Sequence, residues 1–133
     1  MKGFGEENKS KTKSNQKIKA SKQQLINQAI KYHSQGNISE AAKYYQYLIN
    51  QGLNDYRVFL NYGAILQSLG KLKDAAISTR KAIKIKPDYA EAQINLGNIL
   101  KSLGKLEDAK LHYRKAIEIK PDLTIAYFSL STL

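Results

Sequence analysis

From about residue 22 onward, apolar residues recur at three- and four-residue spacing, the period of a helix with one buried face. Over 58–69 they are Val58, Phe59, Tyr62, Ile65, Leu66 and Leu69. Gly70 breaks the run, since glycine weakens a helix and accepts the positive φ needed just past its end. A second run follows with Leu72, Ala75, Ala76, Ile77, Ala82, Ile83 and Ile85. Pro87 stops it, because proline lacks the amide hydrogen that would continue the ladder. Asp88 comes next, with Glu91 three residues on, the spacing of a capping box for the following helix. The pattern predicts helix, tight turn, helix, tight turn.

That unit is copied. Residues 55–88 and 89–122 match at 19 of 34 positions without a gap. Segment 21–54 keeps the same register more loosely, sharing Asn27, Ser34, Gly36, Ala41, Ala42 and Ile49 with the second unit. Gly36, Gly70 and Gly104 each fall one unit length apart, as do Ala41, Ala75 and Ala109, and Pro87 and Pro121. A fixed period of this size marks stacked supersecondary units. Small residues on the two helices of a unit, Gly63 and Gly97 on the first and Ala75 and Ala82 on the second, let the helices approach closely. Leu66, Leu100 and Tyr113 fill the volume that remains. Stacking should merge these contacts into one elongated core, a right-handed superhelix with a concave inner face.

The positions Tyr62, Gly63, Leu66, Gly70, Ala75, Ala82 and Pro87 recur as Leu96, Gly97, Leu100, Gly104, Ala109, Ala116 and Pro121, with Tyr113 added in the later unit. On these residues the chain resembles the tetratricopeptide repeat (TPR) family, as found in bacterial TPR proteins and in the TPR region of O-linked N-acetylglucosamine transferases. The resemblance implies an all-α fold. The expected architecture is a TPR α-solenoid of three helix-turn-helix units plus the start of a fourth, behind a disordered basic tail. The tail takes 1–21, the full repeats 22–55, 56–89 and 90–123, and the partial repeat 124–133.

Unit one departs from the pattern. Gln28 and Ala29 replace the Tyr-Gly and Leu-Gly pairs, Leu53 replaces the proline, and Lys31 takes the slot of Ile65 and Ile99. This suits a capping repeat with a polar outer face. The other end departs in the opposite sense. Residues 123–133 hold seven apolar residues among eleven and no charge. Ile125, Tyr127, Phe128, Leu130 and Leu133 cannot all bury on one side, so an exposed apolar strip is expected, with self-association through residues 123–133 as one outcome, or a chain that is a piece of something longer.

The resemblance places the first helix of each unit along the groove. Asn27, Asn61 and Asn95 then form a row in one slot, where an amide offers both a donor and an acceptor to an extended peptide. The same residues could instead bridge helices within the array. Other inferred groove positions are Gln23, Arg57 and Glu91; Ile26, Leu60 and Ile94; Ile30, Ala64 and Asn98; and His33, Gln67 and Lys101. Aliphatic residues at several of them argue against the Lys- and Asn-rich clamp that some TPR domains use on carboxylate tails. The expected partner is therefore an extended peptide or partner segment, and the expected function a non-catalytic protein-interaction module or scaffold.

Composition narrows the alternatives. The chain contains no cysteine, which removes disulfides and thiolate chemistry and fits a reducing, cytoplasmic location. No apolar run reaches the roughly 18 residues of a membrane span. The formal charge is +11. Residues 1–22 hold seven lysines against Glu6 and Glu7, with too little apolar surface to offset the entropy of ordering. Such a tail is either a solubilising leader or a contact for nucleic acid, anionic lipid or an acidic protein. Arg80, Lys81, Lys84 and Lys86, recurring as Arg114, Lys115 and Lys120, read as a solvated face of the second helices.

Catalytic signatures are weak. His33 and His112 lie far apart in the chain, and neither has a second histidine at ligand spacing, so no metal or other cofactor is expected. Ser68-Leu69-Gly70-Lys71 and its copy at 102–105 match an acyl-enzyme string, but the inter-helix turn of the repeat accounts for both. No phosphate-cradling glycine loop occurs. Any enzymatic role would belong to a larger protein, of which this chain would be the N-terminal recognition portion: a glycosyl-, sulfo- or methyltransferase.

Overall fold

The computed structural model describes residues 21–133, and the basic tail expected over 1–21 lies, but for Ser21, outside the described residues. All regular structure among the described residues is helical. The helices are α1 over 21–34, then α2 (Ile38–Asn50), α3 (Tyr56–Ser68), α4 (Leu72–Ile85), α5 (Ala90–Ser102), α6 (Leu106–Ile119) and α7 (Thr124–Ser131). They fall into two compact units, one ending at Gln51 and one running from Gly52 to Leu133.

In the first unit, α1 and α2 bury Ile26, Ala29, Ala41, Tyr45 and Leu48. Tyr32 stacks at a tilt on Tyr44, with centroids 5.5 Å apart, and His33 meets the Tyr45 ring edge-on at 6.4 Å. Lys31 is exposed where its counterparts Ile65 and Ile99 are fully buried.

In the second unit, α3 packs on α4, α4 on α5, α5 on α6 and α6 on α7, while α3 also touches α5. The core runs through Leu66, Ala75, Ile94, Leu96, Ile99, Leu100, Tyr113, Ala116 and Ala126. Each large aliphatic side chain taken fully out of water there contributes about 1.5–3 kcal/mol.

The turn glycines act as the spacing predicts. Gly70 sits at φ +76°, its N–H donates to Gln67 O at 3.0 Å, and the next N–H, of Lys71, donates to Leu66 O at 2.9 Å. This pair of bonds satisfies carbonyls that the helix end would orphan. It recurs at Gly104 and at Gly36.

The close approach of helices is also present. A Cβ on Gly97 would stand 2.5 Å from Tyr113 Cε1, and one on Gly63 would stand 2.5 Å from Thr79 Oγ1. Thr79 fills the slot that Tyr113 fills one unit later, and its hydroxyl donates to Ala75 O at 2.8 Å.

Three expectations are corrected. Asp88 does not cap α5: the N-cap is Tyr89, in extended conformation and without a side-chain cap bond. The capping carboxylate belongs to Asp55, which accepts the Arg57 N–H at the start of α3. Asp88 fails because it lies one residue too early, in the slot of Asn54. Lys86 is only partly solvated: its Nζ lies 4.6 Å from the Tyr56 ring centroid and 5.2 Å from that of Tyr89. Finally, Ile26, Leu60 and Ile94 are not open groove positions, being only 3%, 9% and 4% exposed. Each precedes the asparagine slot and turns into the packing between helices.

At the far end α7 buries Ala126 and packs Leu123, Leu130 and Leu133 against the core. Ile125, Tyr127 and Phe128 remain 54%, 51% and 67% exposed, an uncovered apolar strip as the sequence led us to expect.

Candidate functional site

The glycines that seat the second helices also orient the asparagines. Asn61 stands two residues before Gly63, and Asn95 two before Gly97, so each is turned about 200° around its helix from the side that meets α4 or α6. Both are partly exposed. Among the described residues neither amide has a hydrogen-bond partner, so each keeps two donors and an acceptor for a ligand. Because α3 and α5 are in contact, the two side chains occupy equivalent places on adjacent helices.

Asn27 lies in the first unit. It is exposed, and its Oδ1 accepts from Gln23 Nε2 at 3.0 Å, which joins two of the expected site residues on one turn of α1. His33, on the same helix, is partly buried by its contact with Tyr45.

The remaining expected residues all lie in the second unit. Arg57 is held by Asp55: Nε to Oδ1 at 3.1 Å and Nη2 to Oδ2 at 2.8 Å. That pairing lowers the Asp55 pKa and raises that of Arg57, each through the mutual hydrogen bonds first. Asn98 accepts the Tyr113 hydroxyl at 2.5 Å, leaving its NH2 group for a ligand. Lys101 Nζ donates to Thr132 Oγ1 at 3.2 Å, bridging α5 to the end of α7. Gln67 is partly exposed on α3. Sequence reasoning did not find the Asp55 or Tyr113 partners, although Asp55 two residues before Arg57 is a readable cap signal.

His112 sits half-buried between α6 and α5, with Nδ1 2.8 Å from the buried Gln93 Oε1. Burial pushes its pKa down, the cations Lys115 and Arg80 push it further, and Asp108 opposes them. Among the described residues no three His, Cys, Asp or Glu side chains gather at metal-binding distance, and no helix is long and apolar enough to cross a membrane.

Helix pairs repeated at a constant interval, closed by a glycine in the middle and a proline at the end, define a class of stacked helical-hairpin proteins. Two family models described as tetratricopeptide repeat match residues 90–123 and 56–89, together just over half of the chain. The chain belongs to the tetratricopeptide repeat family. No curated protein matches it.

Solved structures share the fold at low identity. The first TPR of Spaghetti (RPAP3) bound to the HSP90 peptide SRMEEVD is 24% identical, covers 84% of this chain and 88% of its own, and has a TM-score of 0.78. The Yersinia enterocolitica type III secretion chaperone SycD, in complex with a peptide of the translocator YopD, is 22% identical over 83% of this chain and 89% of its own, at 0.77. A Thermobaculum terrenum O-GlcNAc transferase is 22% identical over 85% of this chain but only 22% of its own, at 0.78.

Proposed function

We propose that this chain is a non-catalytic interaction module that holds an extended peptide along the α3–α5 side, with Asn61 and Asn95 bonded to its backbone. Arg57, Gln67, Asn98 and Lys101 serve side chains of the peptide. On the first unit, Asn27 offers an amide of the same kind, with Gln23 bonded to it and His33 further along α1. The observation that carries the reading is the pair of partly exposed, unpartnered amides in one slot of adjacent helices. Packed helices stand about 8–10 Å apart, close to three residues of an extended chain at about 3.3 Å each. Successive asparagines are thus spaced to meet peptide groups of one strand. The RPAP3 domain and SycD, each solved with a peptide, share this fold, and we carry their mode of binding over to this chain.

The test is a displayed peptide library, panned on the wild-type chain and then titrated by fluorescence anisotropy. Asn61→Ala with Asn95→Ala should weaken the selected peptides by about tenfold, each amide contact contributing roughly 0.5–1.5 kcal/mol. Unchanged affinity would remove the asparagine row from the site.

A second reading, the recognition portion of a larger glycosyl-, sulfo- or methyltransferase, is favoured by the match to one part of the O-GlcNAc transferase. Reading the coding sequence onward from Leu133 tests it; a transferase domain in the same frame is the expected result.

A further inference from the structure

We propose that the α3–α4 hairpin carries a second binding site, one that takes an acidic side chain beside an apolar one from an extended segment of a partner protein. The site is an open cavity of about 460 Å³ lined by Asn54, Phe59, Lys81, Lys84 and Ile85. That volume falls in the range of small-ligand pockets. Phe59 and Ile85 form an apolar floor. The Phe59 backbone carbonyl accepts the Ser78 hydroxyl at 2.7 Å, and Lys81 Nζ stands 5.6 Å from the Phe59 ring centroid. Lys81 and Lys84 are exposed, and among the described residues neither is in an ion pair. Asp55, beside Asn54, is engaged by Arg57, and Asp88, four residues beyond Lys84, forms no ion pair with it among the described residues. Asn54 adds an exposed amide at the rim. Two free cations and an amide above an aromatic and an aliphatic side chain fit a carboxylate carried next to a hydrophobic residue.

The site is distinct from the asparagine row. Phe59 and Asn61 are two residues apart on α3, so they face directions about 200° apart. It is also particular to one repeat. One repeat further on, Asn54 becomes Asp88, Phe59 becomes Gln93 and Lys84 becomes Glu118, while Lys81 and Ile85 are kept as Lys115 and Ile119. The counterpart holds two carboxylates and lacks the aromatic floor, and Gln93 is taken by His112. A nucleic-acid backbone would be served by cations alone and would not need that floor, so an acidic peptide is the better fit.

The repeat supplies its own control. Lys84→Glu installs the residue that α6 tolerates in the same slot, so the helix should persist by circular dichroism while the charge reverses. The probe is a fluorescein-labelled ten-residue peptide alternating Glu with Leu and Phe, titrated by anisotropy against the full chain. Lys84→Glu should lower affinity by about tenfold or more, and Lys84→Gln by about threefold, as expected for losing a charge complement. Lys115→Gln, which removes one exposed cation from the matching place one repeat later, should leave this probe unaffected. Unchanged binding by both Lys84 variants overturns the proposal. So does failure of the probe to bind, and so does equal binding of a ten-residue poly-Glu peptide or a ten-nucleotide single-stranded DNA, either of which would reduce the site to bare charge.

Discussion

Single atoms decide how closely the helices of this chain approach. A methyl group on Gly97 would enter the Tyr113 ring, which is fully buried and tied to Asn98 through its hydroxyl. Alanine favours a helix over glycine by about 1 kcal/mol, but overpacking a tight core costs roughly 1–3 kcal/mol. We expect the overpacking to win, so Gly97→Ala lowers the urea midpoint by the equivalent of up to about 2 kcal/mol. Gly63→Ala meets the smaller Thr79 side chain, with the Ala75 carbonyl oxygen 3.3 Å away, and should cost less. Comparing the two midpoints checks the argument: equal losses would mean that the ring yields as readily as the hydroxyl. The residue scale also shows where sequence reading stops. The capping signal at Asp88 and Glu91 has the right spacing, yet the chain leaves the Pro87 turn with Tyr89 at the N-cap. Spacing along the sequence does not reveal which residue will adopt the half-helical conformation. Nor does it show that Lys86 will lie between Tyr56 and Tyr89, since its contact with Tyr56 joins the end of α4 to the start of α3.

At the scale of elements, the α5–α6 pair contains a titratable contact. The His112 pKa lies below the ordinary 6.5 because of burial, with Lys115 and Arg80 adding to the effect and Asp108 opposing it. As pH falls through the ordinary imidazole range, the unfolded chain takes up the proton before the folded one does. Stability is therefore fully present above that range, and it declines as pH falls toward the depressed folded value. His112→Gln removes this contribution. Urea unfolding at about pH 7.5 and about pH 5 should show a smaller loss on acidification for the variant than for wild type. An identical loss would show that His112 takes no part. The Asp55 carboxylate, depressed by Arg57, acts in a separate and more acidic window, where its protonation removes the α3 cap.

For the molecule as a whole, charge and apolar surface are divided unevenly. The chain carries +11, which opposes self-contact, yet α7 is the one helix among those described without a charged residue. We propose its exposed Ile125, Tyr127 and Phe128 as the place where two copies meet without bringing like charges together. We expect concentration-dependent association by sedimentation velocity, strengthened by salt as the remaining charge is screened. Tyr127→Lys with Phe128→Lys should abolish it and leave the melting temperature within a few degrees, because neither side chain is part of the core. Association that survives the double variant would place the contact elsewhere.

The repeat period, the helices, their glycine and proline stops and the small residues at the close contacts were all legible in the sequence. Each follows from local rules: backbone freedom at glycine, a missing donor at proline, and an apolar stripe at the helical period. Whether Leu60 and Ile94 would line a groove or the core, which aspartate would cap, and that Lys81 and Lys84 would stand over a shared apolar floor were decided only by the tertiary structure. These depend on what a neighbouring helix brings to the same point in space, and periodicity along one chain carries no information about distance between two.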